Sequence, residues 1–412
     1  MKRSSVLFHF ALVVFAALAI TAASYGATIS SRSLSRTKKA KTVTENPRTQ
    51  KRMAQMKHSR RVTTARSSKT ARRGSRHRRS WERFSTSSFA DDIAYGDITT
   101  GEDAVVRQAA LDALGNMNGT LVAIDPASGR ILAMVNQKLA LSAGATPCST
   151  IKIPVALAAL SEGIVTKETK VMLSKRYGLT MTEALAHSNN QYFEALGRKL
   201  GFEKYSYYAH QFGLGELAGW NIIGEHLGTF PTEPLPVKAG GVGKMCSFGE
   251  SISMTPLQLG ALMSAVANGG TLYYLQHPQT PEEVAYFQPK VKRQLDIAPL
   301  VPEIMDGMDG AVRYGTARSL RENFVEEQVV GKTGTCSNNS GTRYGWFASY
   351  ANTQFGRIVT VIFLQGGRPT FGPKAAELSG KFYRALYDRN YFAERIPMTQ
   401  SKSNRTVVGA PQ

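Results

Sequence analysis

The sequence is poor in cysteine. Its three residues, Cys148, Cys246 and Cys336, are odd in number and fall at no metal-ligand spacing. That excludes a small scaffold stapled by disulfides and a zinc module of the C-x-x-C kind. Acidic residues are also scarce, 30 against 51 lysines and arginines, for a net charge of +21. The imbalance is local. Residues 31–80 hold 18 Lys and Arg against one acid, Glu45; Lys2 and Arg3 precede them, and everything after Ser80 carries only +2. A near-neutral folded part disfavours nucleic acid as its partner. Residues 31–84 are almost without large aliphatic side chains, so they cannot bury enough apolar surface to offset chain entropy. Residues 24–84 therefore read as a basic, disordered tether, suited to an anionic partner: nucleic acid, lipid head groups or an acidic polymer. A merely solvated spacer is an equal reading.

What is present begins with an apolar run. Met1 to Ala23 opens on Lys2-Arg3 and continues almost unbroken from Val6 to Ile20, the pattern of an export signal or a single membrane anchor. Thr21-Ala22-Ala23 offers small residues for cleavage; the run is also just long enough to span, and an uncleaved anchor is the preferred expectation. The positive-inside rule would hold the basic segment in the cytoplasm. The chemistry of the motifs below belongs outside the inner membrane, and the motifs are given precedence.

The chain is organised around Pro147-Cys148-Ser149-Thr150-Ile151-Lys152-Ile153-Pro154 and the apolar run to Leu160. A helix apolar on nearly every side belongs in a domain centre. Ser149 and Lys152 are its polar exceptions, and at i and i+3 they share a face. A buried ammonium is costly, so Lys152 is expected to be paired or to have a lowered pKa. A serine beside a lysine able to lose its proton makes an activated nucleophile. Alone the S-x-x-K match is weak in a chain with this many serines and lysines; its apolar setting and two downstream motifs raise it.

Around this stretch the pattern predicts a helix over Asp103 to Asn116, then strands Gly119–Ile124 and Arg130–Val135 joined by the turn Asp125-Pro126-Ala127-Ser128-Gly129. Helical stretches are expected from Ile164 to Leu200, broken at His187-Ser188-Asn189-Asn190, and loops from Phe212 to Pro236. Thr255 and Pro256 suit the N-cap and first position of a helix ending at Asn268-Gly269-Gly270. A helix over Pro302–Tyr314 follows, then strands Glu327–Thr335, Tyr344–Tyr350 and Arg357–Leu364, and a helix over Lys374–Tyr387. Strands at both ends with a helical middle predict an α+β domain over 85–390 whose antiparallel sheet is assembled from both ends around a large helical insertion. Residues 391–412 read as a loose tail.

Ser188-Asn189-Asn190 is an S-x-N triplet which, alone, is better read as a helix cap before Gln191-Tyr192-Phe193. Lys332-Thr333-Gly334-Thr335 follows Val329-Val330 and places a cation and two hydroxyls on a strand, a carboxylate-binding pattern. Gly334 lets a ligand lie close to the backbone. S-x-x-K, S-x-N and K-T-G in this order form a specific constellation. With Leu121–Pro126, Phe212–Gly215, Ile252–Leu259, Val266–Gly270, Gly315–Arg318 and Gly345–Phe347, it resembles the transpeptidase domain of penicillin-binding proteins, within the serine acyl-transferases that include the β-lactamases.

The resemblance covers roughly Ala104 to Tyr387 and implies a fold, a reaction and its residues. Ser149 attacks the carbonyl of the penultimate D-alanine of a D-Ala-D-Ala stem peptide, and Lys152 takes its proton. Ser188 relays a proton to the leaving group. Asn190 holds the substrate backbone. Lys332 receives the terminal carboxylate with Thr333 and Thr335, and the backbone N–H groups of Ser149 and Thr335 form the oxyanion hole. It implies covalent binding of β-lactams, cross-linking of peptidoglycan, a catalytic domain periplasmic or extracellular on a single-pass anchor (secreted if the signal is cleaved), and no metal or organic cofactor. The family's usual upstream glycosyltransferase or dimerisation domain does not fit into the residues before 85, so a stand-alone transpeptidase domain is expected, with a basic tether that the resemblance suits to acidic envelope polymers or to cell-wall synthesis proteins.

The family usually carries Gly where this chain has Cys148, Pro directly after the lysine where Ile153 intervenes, and small or hydroxyl residues at Cys336. These departures, and a short spacing from Ser149 to Ser188, bear on cleft shape and β-lactam sensitivity. A bridge between Cys148 and Cys336 is open, but ordinary buried side chains are the preferred reading for all three cysteines. Competing functions are a D,D-carboxypeptidase, a serine β-lactamase and a non-catalytic β-lactam sensor or scaffold. Glu225 stands where one β-lactamase class has its E-x-x-x-N glutamate, but the local sequence Glu225-His226-Leu227-Gly228-Thr229 lacks the asparagine.

Overall fold

The computed structural model describes residues 85–353 and 356–394. The anchor expected over 1–23 and the tether over 24–84 lie outside them. Among the described residues no helix is long and apolar enough to cross a membrane.

Helix α1 (Ala104–Leu114) starts at Asp103, whose carboxylate accepts from the Val105 and Val106 amides. It is followed by β1 (Gly119–Asp125), β2 (Arg130–Val135) and the short α2 (Gln137–Ala140). A 3-10 turn, Cys148–Ile151, runs into α3 (Lys152–Ser161). The middle of the chain holds β3 (Val171–Met172), β4 (Gly178–Leu179), α4 (Met181–Ala186), α5 (Asn190–Gln211), α6 (Gly241–Phe248) and α7 (Pro256–Asn268). A further antiparallel pair, β5 (Thr271–Tyr274) with β6 (Lys290–Gln294), encloses α8 (Pro281–Ala285). Then come α9 (Val301–Arg313), β7 (Gln328–Ser337), β8 (Arg343–Thr353), β9 (Gly356–Gly366), α10 (Gly372–Asp388) and α11 (Tyr391–Glu394).

Five strands form one antiparallel sheet in the order β2-β1-β9-β8-β7. The first two strands thus pair with the last three, the α+β sheet expected from the pattern. Side-chain alternation divides the core. Val122, Ile124, Trp346, Ala348, Val361 and Phe363 face the helical middle of the chain. Leu121, Ala123, Phe347, Ile358, Ile362 and Leu364 face α1 and α10. Both faces are covered, which is why these strands read as nearly continuous apolar runs.

Several expected boundaries move. The helix expected from Ile164 is instead a turn and the β3-β4 hairpin; Thr169 Oγ1 accepts from the Thr166 amide at 2.9 Å, a local bond that competes with a helix. Helix α5 breaks at Gly201, which has a non-helical φ of 73°, and a second helical segment carries it on to Gln211. Residues 391–394, expected to be loose, form a helical turn with Tyr391 and Phe392 buried. Thr255 caps α7 in a reciprocal box with Gln258, with Pro256 at the first helical position.

Candidate active site

Three segments meet: the 3-10 turn leading into α3, the loop between α4 and α5, and the edge strand β7. Every residue of α3 from Lys152 to Leu160 is buried, so the lysine is carried into the core by the apolar run it belongs to. In a 3-10 turn, positions i and i+3 eclipse. Lys152 Nζ accordingly lies 2.9 Å from Ser149 Oγ.

The α4–α5 loop supplies the second side of the site. Ser188 adopts φ 56°, a left-handed conformation that turns the chain sharply. Asn189 is the helix cap, its Oδ1 accepting from the Tyr192 amide at 2.9 Å. The cap reading of this triplet is therefore correct for its middle residue, while its two flanking residues point at Lys152. Its Nζ lies 2.9 Å from Ser188 O, 3.1 Å from Ser188 Oγ and 2.6 Å from Asn190 Oδ1.

Counting Ser149 Oγ, four oxygens surround one nitrogen. An ammonium has three hydrogens to donate. A neutral amine donates two and keeps a lone pair that can accept the Ser149 hydroxyl proton. The electrostatics favour that state. Burial and the nearby Lys332 push the Lys152 pKa well below its ordinary range, with Glu194 opposing.

Strand β7 completes the site. Lys332 is fully buried, and burial lowers its pKa to about 7. Its Nζ donates to Ser188 Oγ at 2.8 Å and to Thr333 O at 3.1 Å. Ser188 Oγ thus stands between two lysine nitrogens. Lys332, Gly334 and Cys336 face the serine turn. A Cβ on Gly334 would meet Pro147 O at 2.8 Å and Cys148 Cβ at 3.3 Å, so the strand approaches the turn as only glycine permits. Thr333 and Thr335 alternate to the other face. Thr333 Oγ1 hydrogen-bonds Thr316 Oγ1 at 2.6 Å, and Thr335 Oγ1 accepts from the Gly372 amide at 2.8 Å. Thr335 is exposed and Thr333 buried. The cation and the two hydroxyls therefore flank one strand edge rather than sharing a face.

The cysteines require a correction. Cys148 and Cys336 are joined by a disulfide, with Cα atoms 5.7 Å apart at a sequence separation of 188. The expectation of ordinary buried side chains fails for both, because nothing in a linear sequence places β7 beside the serine turn. For Cys246, buried and free, that expectation holds.

Two residues with no role assigned from sequence also brace the site. Thr316 positions Thr333. Trp346, fully buried on β8, donates from Nε1 to Thr146 O at 3.0 Å and so holds the segment before the serine. A lone tryptophan inside an apolar strand, whose N–H requires a partner, was the available signal. Glu225 accepts from the Ala218 and Gly219 amides at 2.8 and 2.9 Å. Its carboxylate is spent within its own loop.

Residues 119–388 match the penicillin binding protein transpeptidase domain. Stage V sporulation protein D of Bacillus subtilis is 31% identical over 267 residues, 54% of this chain. The chain spans only 40% of that relative's length. Peptidoglycan D,D-transpeptidase PbpA of Mycolicibacterium smegmatis is 24% identical over 358 residues, covering 70% of this chain and 71% of that protein. Among solved structures, Pseudomonas aeruginosa PBP2 in complex with WCK 5153 superposes with a TM-score of 0.58 at 22% identity, over 70% of this chain and 77% of that one.

Proposed function

Because the chain belongs to the penicillin-binding protein transpeptidase family, we propose that it is a serine D,D-transpeptidase acting on the D-Ala-D-Ala stem peptides of peptidoglycan. The observation that carries this reading is the buried Lys152 nitrogen, held 2.9 Å from Ser149 Oγ with its charged form disfavoured.

Lys152 Nζ takes the hydroxyl proton as Ser149 Oγ attacks the penultimate D-alanine carbonyl. The oxyanion is received by the backbone N–H groups of Ser149 and Thr335. As the tetrahedral adduct collapses, the terminal D-alanine leaves as an amine. Its proton comes through Ser188 Oγ, which touches both lysines. The terminal carboxylate docks at the β7 edge on Lys332, with the Thr333 and Thr335 hydroxyls beside it. Asn190 orients the Lys152 amine and holds the substrate backbone. An amine of a second stem peptide then attacks the acyl-enzyme and forms the cross-link. A β-lactam enters the same path and stops at the acyl-enzyme.

Water in place of the amine would make the protein a D,D-carboxypeptidase. Fast hydrolysis of the acyl-enzyme, as in a β-lactamase, is disfavoured by the engagement of Glu225 with its own loop. A silent scaffold is disfavoured by the retention of every motif residue. In this reading the domain works outside the cytoplasmic membrane, held by residues 1–23 and the tether, and a topology reporter fused after the tether tests that placement.

The decisive experiment is labelling of the full chain with a fluorescent penicillin. A label stable for hours in the wild type and absent from Ser149→Ala is expected. Loss of the wild-type label within seconds would assign a β-lactamase instead. The same assay tests the strand approach: Gly334→Ala must move β7 off the Pro147 carbonyl and is expected to slow labelling about tenfold or more. An unchanged rate would mean that the β7 spacing is immaterial to acylation.

A further inference from the structure

The Cys148–Cys336 bridge joins the residue before the nucleophile to the residue after Lys332-Thr333-Gly334-Thr335. Each cysteine adjoins one of the two amides assigned to the oxyanion hole. We propose that this disulfide is a positioning device that holds the Ser149 and Thr335 amides at their working separation, so that acylation requires the oxidised chain. The inference rests on the acyl-transfer reading above.

Backbone conformation carries the argument beyond proximity. Cys148 has φ 52°, in the left-handed region where a side chain with a Cβ is disfavoured. Pro147 before it, and Ile151 and Lys152 after the serine, are right-handed. A cysteine left to itself would relax out of that conformation and rotate the Ser149 amide away from β7. The bridge opposes the rotation from a strand anchored by its full ladder to β8. A glycine at position 148 would hold the same φ without help.

The bridge is also within reach of reagents. Cys148 is fully buried but Cys336 is partly exposed. A thiolate of a dithiol reductant attacks Cys336 Sγ and releases the Cys148 thiolate. The second thiol of the reductant then attacks the mixed disulfide and releases Cys336. Two electrons pass to the protein, the reagent leaves as a cyclic disulfide, and its thiol protons end on the two cysteines. The acylation activity of the chain is thereby tied to an oxidising compartment.

The test uses the full chain, oxidised or treated with dithiothreitol, and resolves penicillin acylation into a binding constant and a first-order acylation rate. Reduction is expected to lower the acylation rate about 10²-fold, the scale of a misplaced reacting geometry, with little change in binding. Cys336→Ser should be equally slow and indifferent to dithiothreitol. Adding Cys148→Gly to Cys336→Ser should restore the rate, because glycine needs no tether; a bridge that merely stabilised the fold would not be replaced in this way. Hydrogen exchange across residues 146–151 should rise on reduction and fall again in the double variant. Equal rates for reduced and oxidised wild type, or a double variant as slow as Cys336→Ser, would overturn the proposal. An oxidised wild type that never labels strikes the acyl-transfer reading, and the exchange measurement still decides whether the bridge sets the turn.

Discussion

Lys152→Met is expected to lower the rate of Ser149 acylation by about 10²–10⁴-fold, the range over which a positioned general base contributes. The substitution keeps the length of the side chain and its apolar stem, which packs within a fully buried helix. It removes the one nitrogen within hydrogen-bond reach of Ser149 Oγ, Ser188 Oγ and Asn190 Oδ1 together. The loss should fall on the first-order acylation step and leave penicillin binding nearly unchanged, because the β7 edge proposed to receive the carboxylate is intact. Raising the pH should not recover it, since among the described residues Lys152 Nζ is the basic group hydrogen-bonded to Ser149 Oγ. Burial of the lysine is itself unfavourable for its charged form, so a melting curve close to that of wild type is expected, separating lost chemistry from lost folding. A Met variant that acylates within a few-fold of wild type would remove Lys152 from the base role and leave it a hydrogen-bonding post.

How much of this site could be read from the sequence depends on the range of each interaction. Ser149 and Lys152 are three residues apart, and any helical turn brings them together; their pairing needed only the apolar run to be recognised as buried. The cap of α7 at Thr255 and Pro256 is equally local. The pairing of β1 with β9 was legible at the level of order, because strands at both ends of a domain with helices between them leave few other ways to close a sheet. The disulfide was not legible, since its two halves meet only after β7 has taken the sheet edge and come against the serine turn. Helix α6 was missed for a different reason. Gly240, Gly241 and Gly243 depress helix propensity, and tertiary contact of α6 with α5 overrides it: Gly197 permits Cys246 Sγ an approach that a Cβ would block at 2.8 Å. The split faces of β7 were in principle readable from strand alternation. Grouping Lys332 with Thr333 and Thr335 as one surface treated the motif as a string rather than as a pleated strand.

The same alternation sets up the pH response that Lys332 should impose. Its folded pKa, lowered from 10.5 to about 7 by burial, means that in the free enzyme it loses its charge as pH rises through neutrality. Docking of a substrate or β-lactam carboxylate at the β7 edge needs that charge, so binding should weaken about tenfold per pH unit above that point. Lys152 in its proposed role acts in the opposite sense, because a base must be neutral to accept the serine proton. Acylation is thus expected to rise with pH on the acid side and to fall above about 7, with limbs that belong to the coupled pair rather than to either lysine. Lys332→Arg keeps its charge at every working pH and should abolish the alkaline fall. Lys332→Met should weaken carboxylate recognition by about 2–5 kcal/mol, which is some 30-fold to several thousandfold.

Stability supplies an independent check on the sign. Between about 7 and 10.5 the unfolded chain carries a proton on Lys332 that the folded chain has lost, so this residue makes folding more favourable as pH rises across that window. Denaturant titrations of wild type should show that upward slope, and those of Lys332→Met should lack it. If the wild-type acylation profile is flat from about pH 6 to pH 9 and the two slopes coincide, Lys332 is charged throughout, and the low dielectric inferred for the heart of this site is wrong.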